Sequence, residues 1–287
     1  TFVATCNALF HMGAQPIFVD ISRISLGLCP RATEGYLTEH ARLNSDGHCI
    51  DIKTGKRIRA VMPMHTFGHP VELDELILIC ERWNLVLIED AAESLGSFYK
   101  GKHTGSLGEF AAISFNGNKI ITTGGGGMVL CRDLDVGLKT KHLTTTAKVP
   151  HPYEFYHDEP GFNYRMPNLN AALGCAQMEV LPKYLEQKRQ LAMEYQEFFN
   201  CGDLRFVQEP EYGRSNYWLN AVICPDKASR DLLLKSTNDV GVMTRPIWKL
   251  MHRLPMFENA LRGDLTVSEW LEGHLVNVPS SPIELAR

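Results

Sequence analysis

Lys119 stands between two apolar runs, "AAISF" (111–115) and "GMVLC" (127–131), with the glycines 124–127 in the connection. A lysine between two buried strands is not on a solvated face. It can clamp a phosphate, act as a nucleophile or simply serve the turn. Asp90 closes a third apolar run, "LVLIED" (85–90). In open α/β sheets the ligand crevice lies beyond the carboxyl ends of the strands, and a carboxylate placed there costs free energy unless it meets a partner. Asp90 is therefore either a helix N-cap for "AAESL" or a functional group. Ser114 is the penultimate residue of the 111–115 run. If these runs are neighbouring strands, an acid, a hydroxyl and an amine converge on one sheet edge.

The glycines do not form a nucleotide loop. "TTGGGG" lacks the order G-x-x-x-x-G-K-[ST], because no glycine run precedes Lys119. It also lacks G-x-G-x-x-G followed by a helix, since an apolar strand follows it. Tight backbone turns close to a bulky ligand are the better reading. One chemistry uses an acid, a lysine and a hydroxyl together, that of pyridoxal 5′-phosphate. The lysine bonds the coenzyme aldehyde, the carboxylate pairs with the pyridinium nitrogen, and the hydroxyl binds phosphate. Once displaced by substrate, the lysine is an amine base able to move a proton between two carbons.

The elements that must position these groups are legible as alternating patterns. "PIFVDI" (16–21), "AVMPM" (60–64), 85–90, 111–115 and 127–131 read as buried strands. A helix over about 5–12 stops at Gly13. Residues 71–84 place Leu73, Leu76, Ile77, Cys80 and Trp83 on one helical face. Strands alternating with helices predict an α/β layer with a largely parallel sheet. Residues 22–58 read as a polar excursion with a small hairpin. Past Pro167 the chain is strongly helical, with Asn168 as N-cap and Pro182 kinking or dividing the helix. A strand at 217–225, a helix at 229–241 and a strand at 243–248 follow. The reading is a large domain over 1–200, with a mostly parallel mixed sheet, and a small C-terminal α+β domain over 201–287.

The 287 residues carry a net charge of −4, with 44% hydrophobic and 22% charged residues. That balance argues against nucleic acid or an anionic membrane as partner. No apolar run approaches the roughly 20 residues of a membrane span. The eight cysteines include no C-x-x-C pair, so no zinc knuckle is expected, and they fit thiols in a reducing cytoplasm. His65 and His69 stand four apart, but Gly68 and Pro70 break any helix that would align them on a metal. The chain starts at Thr1, and "TFVATCNALF" reads as entry to an element already under way, so an N-terminal segment is expected upstream.

Together "EDAAES", "SFNGNK" with its glycine turn, and "GFNYRMPNLNAALGCAQME" resemble the sugar aminotransferases of the DegT/DnrJ/EryC1/StrS family, along essentially the whole chain. The resemblance implies the aspartate-aminotransferase-like fold of type I and pyridoxal phosphate as coenzyme. It implies Lys119 as the lysine that bonds the coenzyme and shuttles the proton, Asp90 on the pyridine nitrogen, Ser114 on the phosphate and Phe2 stacked on the ring. It further implies Asn163 and Arg165 reaching the phosphate in a partner subunit's site, within a homodimer. Residues 142–174 look most like the branch that aminates UDP-linked 4-keto-6-deoxy sugars towards legionaminic acid, with glutamate as donor. His65, Thr66, Phe67, His157 and Arg245 are candidates for the substrate side, Arg245 for a diphosphate.

Two departures from the family pattern stand out. Glu93 lies where many relatives carry Gln beside the phenolic oxygen, so it must be protonated, turned aside or otherwise bonded. The upstream phosphate-binding turn and part of the substrate pocket, which relatives supply before "TFVAT", fall outside this sequence. Three rival readings follow. One is a sugar dehydrase, in which histidine replaces the lysine. Another is a non-catalytic binder or inactive fragment. The last is a nicotinamide enzyme, weakened by the missing fingerprint.

Overall fold

The computed structural model describes residues 1–282 of the chain. Its central sheet runs Ala60–Val61, Val86–Asp90, Phe110–Ser114, Gly127–Cys131; the first three are parallel and the last antiparallel. The register sets Asp90 opposite Ala112 and Ser114 opposite Gly127, so both residues lie at the same end of the sheet. Gly127 is required there, because a Cβ on it would lie 2.5 Å from the Ile113 carbonyl oxygen. That reason is closer pairing of strands, rather than the approach of a ligand.

Seven α-helices occur among the described residues: α1 (Val3–His11), α2 (Pro30–His40), α3 (Leu73–Trp83), α4 (Leu134–Thr144), α5 (Asn168–Phe198), α6 (Lys227–Asp239) and α7 (Thr266–His274). α3 buries Leu73, Leu76, Ile79 and Cys80, with Ile77 and Trp83 partly covered, and packs on Val61 and Leu87 of the sheet. Asn84 ends it in a left-handed conformation. α2 was not evident in the polar 22–58 segment, but the expected hairpin is present as Ala41–Leu43 against Cys49–Asp51.

A second, antiparallel sheet runs Arg205–Phe206, Asn220–Ile223, Leu275–Val278, Arg245–Pro246. α6 matches the helix expected at 229–241, whereas α7 was not read from the sequence. Its strands bury Ala221, Val222, Val276 and Val278.

Three local expectations are corrected. The 16–21 run forms only the strand Ile17–Phe18, and it pairs with Leu261–Arg262 rather than with the central sheet. α5 runs unbroken through Pro182, because Leu181, Tyr184, Leu185 and Ala192 anchor both halves to the core and offset the one hydrogen bond that proline removes. Its N-cap is Pro167, and Asn168 makes no capping bond.

The N- and C-terminal parts are also tied by one buried carboxylate. α7 has no capping side chain at its own N-cap. Asp20 substitutes for it, accepting from Val267 N (2.8 Å), Ser268 N (2.8 Å) and Ser268 Oγ (2.6 Å). Asp20→Ala strands these donors, and we expect a loss of roughly 3 kcal/mol in urea unfolding, with Asp20→Asn retaining part of it.

Candidate active site

Each catalytic candidate is placed by a strand end or the turn after it. Asp90 follows the last apolar residues of Val86–Asp90, where the bridge to Met64 holds the strand end. Its carboxylate accepts from Thr5 Oγ1 of α1 (2.6 Å) and from Ala92 N (3.1 Å). Residues 91–97 form turns and no helix, so Asp90 caps a turn rather than the helix expected of "AAESL".

Lys119 lies in the loop joining Phe110–Ser114 to Gly127–Cys131. Phe115 closes that loop, donating its N–H to Gly126 and accepting at its carbonyl from Thr123 N. Ser114 Oγ accepts from Asn116 N at 3.2 Å, which orients the turn carrying the lysine. The Lys119 side chain is 14% exposed, and Nζ lies 3.7 Å from Glu93 Oε1. It also sits 3.9 Å from the centre of the Trp218 ring.

Burial pushes the Lys119 amine below its ordinary range, while the charges of Glu93 and Asp90 pull it back up. Burial pushes Glu93 up to about 7, opposed by the Lys119 charge and by the Phe67 N–H, which donates to Oε2 at 2.9 Å. Glu93 is therefore both bonded and close to half-protonated at neutral pH. Phe67 makes its bond from a left-handed backbone (φ 58), a strained conformation for a non-glycine residue. Gly68 follows at φ +95, where a Cβ would lie 1.9 Å from Asn216 Oδ1.

The remaining sequence candidates divide. Phe2, 47% exposed, sets its ring 5.8 Å from Trp248, which in turn lies 5.5 Å from Phe67. This aromatic row starts at the N-cap of α1, not on a strand. His65 is corrected as a substrate residue, being wholly buried: Nε2 bonds Glu89 Oε2 (2.9 Å) and Nδ1 accepts from Val71 N (3.3 Å). Thr66 is likewise buried and donates to the Leu26 carbonyl. His157 sits exposed on a small hairpin, bonded to the Thr146 carbonyl. Asn163 bridges Thr145, and Arg165 lines an open concavity of about 500 Å³ with Lys148 and His151. Arg245 is exposed on the second sheet. Among the described residues no hydrogen bond or ion pair joins Asn163, Arg165, His157 or Arg245 to Lys119.

Sequence reasoning missed three groups. Trp218 reaches Lys119 from the far part of the chain. Asn216 donates to the carbonyls of Glu93 and Leu95, both at 2.9 Å. Glu89 takes the N–H groups of Gly105, Leu107 and Gly108 besides His65. Burial alone raises Glu89, but the His65 bond and charge and these N–H groups outweigh it and hold it low. Two adjacent acids ending an apolar strand were the only signal for Glu89.

A desolvated amine, a carboxylate at a parallel strand end and a half-exposed aromatic ring fit pyridoxal 5′-phosphate.

The Glu93 carboxyl binds its proton more tightly in the folded chain than at its ordinary value of 4.5. Between 4.5 and about 7 the native state holds more protons, so stability contributed there falls as pH rises. In coenzyme-free protein we expect wild type to lose about 3 kcal/mol relative to Glu93→Gln between pH 4 and 8. Urea unfolding across that range checks it, and a pH-independent difference contradicts it.

Comparison with known proteins agrees with this geometry. The sequence model of the DegT/DnrJ/EryC1/StrS aminotransferase family matches residues 1–284. EpsN of Bacillus subtilis, provisionally named a pyridoxal phosphate-dependent aminotransferase, is 36% identical over 262 residues, which are 91% of this chain and 64% of EpsN. GDP-perosamine synthase of Escherichia coli O157:H7 is 31% identical over 282 residues, 98% of this chain and 72% of that protein. This chain thus spans less than two thirds of EpsN. Among solved structures, the aminotransferase TlmJ from Streptoalloteichus hindustanus has the same fold, with a TM-score of 0.87 at 24% identity over 100% of this chain and 73% of that one. The chain belongs to the DegT/DnrJ/EryC1/StrS aminotransferase family, with the type I fold and pyridoxal 5′-phosphate as its coenzyme.

Proposed function

We propose that this chain carries the catalytic centre of an aminotransferase that moves an amino group from L-glutamate to a nucleotide-linked 4-keto-6-deoxy sugar. The observation that carries the reading is the Lys119 amine, withdrawn from water and facing Glu93 within the field of Asp90. The name of GDP-perosamine synthase supports a nucleotide-linked substrate. The 142–174 segment favours the UDP-linked, legionaminic-acid branch of surface-sugar synthesis.

When bound, the coenzyme supplies an aldehyde for an amine to bond and a ring that spreads the charge of a carbanion. Asp90, tied to Thr5 and Ala92, would hold the proton on the ring nitrogen. Glu93, whose hold on a proton burial strengthens, would face the phenolic oxygen and donate to it in its protonated form. Phe2 would stack on the ring and Ser114 would meet the phosphate. Lys119 Nζ, once released, would take the α-proton of the donor, and its lowered basicity keeps a share of it neutral for that task. Arg245 is the candidate for the sugar diphosphate.

A homodimer with shared sites is part of the proposal. Tyr153, Phe155 and Tyr164 are largely exposed on the 145–167 arm that carries Asn163 and Arg165. An apolar arm with an arginine suits burial against a partner copy, where Asn163 and Arg165 would reach the phosphate.

The deciding experiment incubates the full-length protein with glutamate and UDP-, GDP- or TDP-linked 4-keto-6-deoxy sugars, with products read by mass and NMR. Amination of the UDP sugar is expected. Amination of another nucleotide sugar alone overturns the branch assignment, and amination of none overturns the function. Lys119→Ala should lower turnover at least about 10³-fold and abolish the visible absorbance of bound coenzyme. Retention of both excludes Lys119.

A further inference from the structure

Trp218 and Lys188 belong to none of the roles above. The Trp218 ring is buried, and its face lies 3.9 Å from Lys119 Nζ. The indole is fixed by one bond and the backbone of the residue by another. Nε1–H donates to the Asn118 carbonyl at 2.7 Å, next to the lysine itself. The Trp218 N–H donates to Asn216 Oδ1 at 2.8 Å. Its carbonyl accepts from Lys188 Nζ at 2.7 Å, and the same ammonium donates to the Ser280 carbonyl at 2.6 Å. Lys188 thus spans two main-chain carbonyls, one beside the site and one near the end of the described chain. Among the described residues no carboxylate pairs with it, and burial pushes its amine down to about 8. A cation drawn from water is costly, and the two carbonyl bonds offset that cost for Lys188.

We propose that the Trp218 face is the seat of the Lys119 ammonium whenever that lysine is not bonded to coenzyme, and that Lys188 is the positioning residue that holds Trp218 there. The inference rests on the catalytic role assigned to Lys119. A cation over an indole face gains about 0.5–2 kcal/mol, most when desolvated. The other charged groups facing Lys119 are Glu93 and Asp90. They attract the ammonium from the carboxylate side, and the indole does so from the opposite chain segment. The ring therefore raises the affinity of Lys119 for the proton it carries between carbons, without adding a second base.

Carbon-13 reductive methylation of the full chain, freed of coenzyme, makes the Lys119 amine visible by NMR. In wild type its methyl signal should lie upfield from the ring current of Trp218. Its titration midpoint should fall by about 1 unit in Trp218→Leu and by less in Trp218→Phe. Lys188→Met should shift it the same way, and Lys188→Arg should restore it. An unshifted wild-type signal overturns the proposal, and that measurement requires no variant to fold. Equal midpoints in wild type and Trp218→Phe overturn it too. Borohydride trapping of coenzyme on wild-type Lys119 is a separate readout. Its failure removes the coenzyme role, while the titration still decides whether the indole seats the ammonium.

Discussion

An amine and a carboxylate 3.7 Å apart, both withdrawn from water, are the constraint on which this structure turns. At an effective dielectric near 20 their attraction is about 4 kcal/mol, which does not by itself repay the removal of two charges from water. The protein meets the difference by moving their proton affinities towards each other, lysine down and glutamate up. Burial thus disfavours the charged form of each partner, while each charge favours the other. Two backbone features hold Glu93 in this place. Phe67 accepts an unfavourable φ to point its N–H at Glu93, and Gly68 is left no room for a side chain.

The scaffold of the pair comes from separated stretches of chain. Strand ends supply Asp90 and the Lys119 loop, and the 215–218 segment closes over them. Asn216 donates its side-chain amide to the carbonyls of Glu93 and Leu95 and its backbone N–H to Ser97 Oγ. Tyr217 takes a left-handed backbone (φ 48) just before Trp218 turns inward. Further back, Arg189 of α5 grips Glu209 with two bonds and also donates to the Ser215 carbonyl. None of these contacts is local in sequence.

That separation explains what could and could not be read in advance. Asp90, Ser114 and Lys119 announce themselves because a strand's apolar run ends in a chemically costly residue at a predictable edge. The central strands and α3 were legible for the same reason, a periodicity that depends on neighbours in sequence. The pairing of Ile17–Phe18 with Leu261–Arg262 was not, because a two-residue strand carries no pattern. Pro182 misled because propensity knows nothing of Leu181 and Ala192 holding both sides of it in the core. His65 looked like a pocket residue from its place after a strand. Its ring in fact turns inward to Glu89, an acid whose own burial no periodicity argument would select.

α5 connects these layers in a way its continuity makes consequential. At its start Asn170 donates to the Thr123 carbonyl in the Lys119 loop, midway Lys188 holds Trp218, and near its end Tyr195 donates to the Pro279 carbonyl. At 1.5 Å per residue the helix is a strut of about 46 Å. Because α5 is continuous through Pro182, its grip on the loop and its grip on the tryptophan belong to one helix. Two contacts that border the amine from different stretches of chain therefore share one rigid reference.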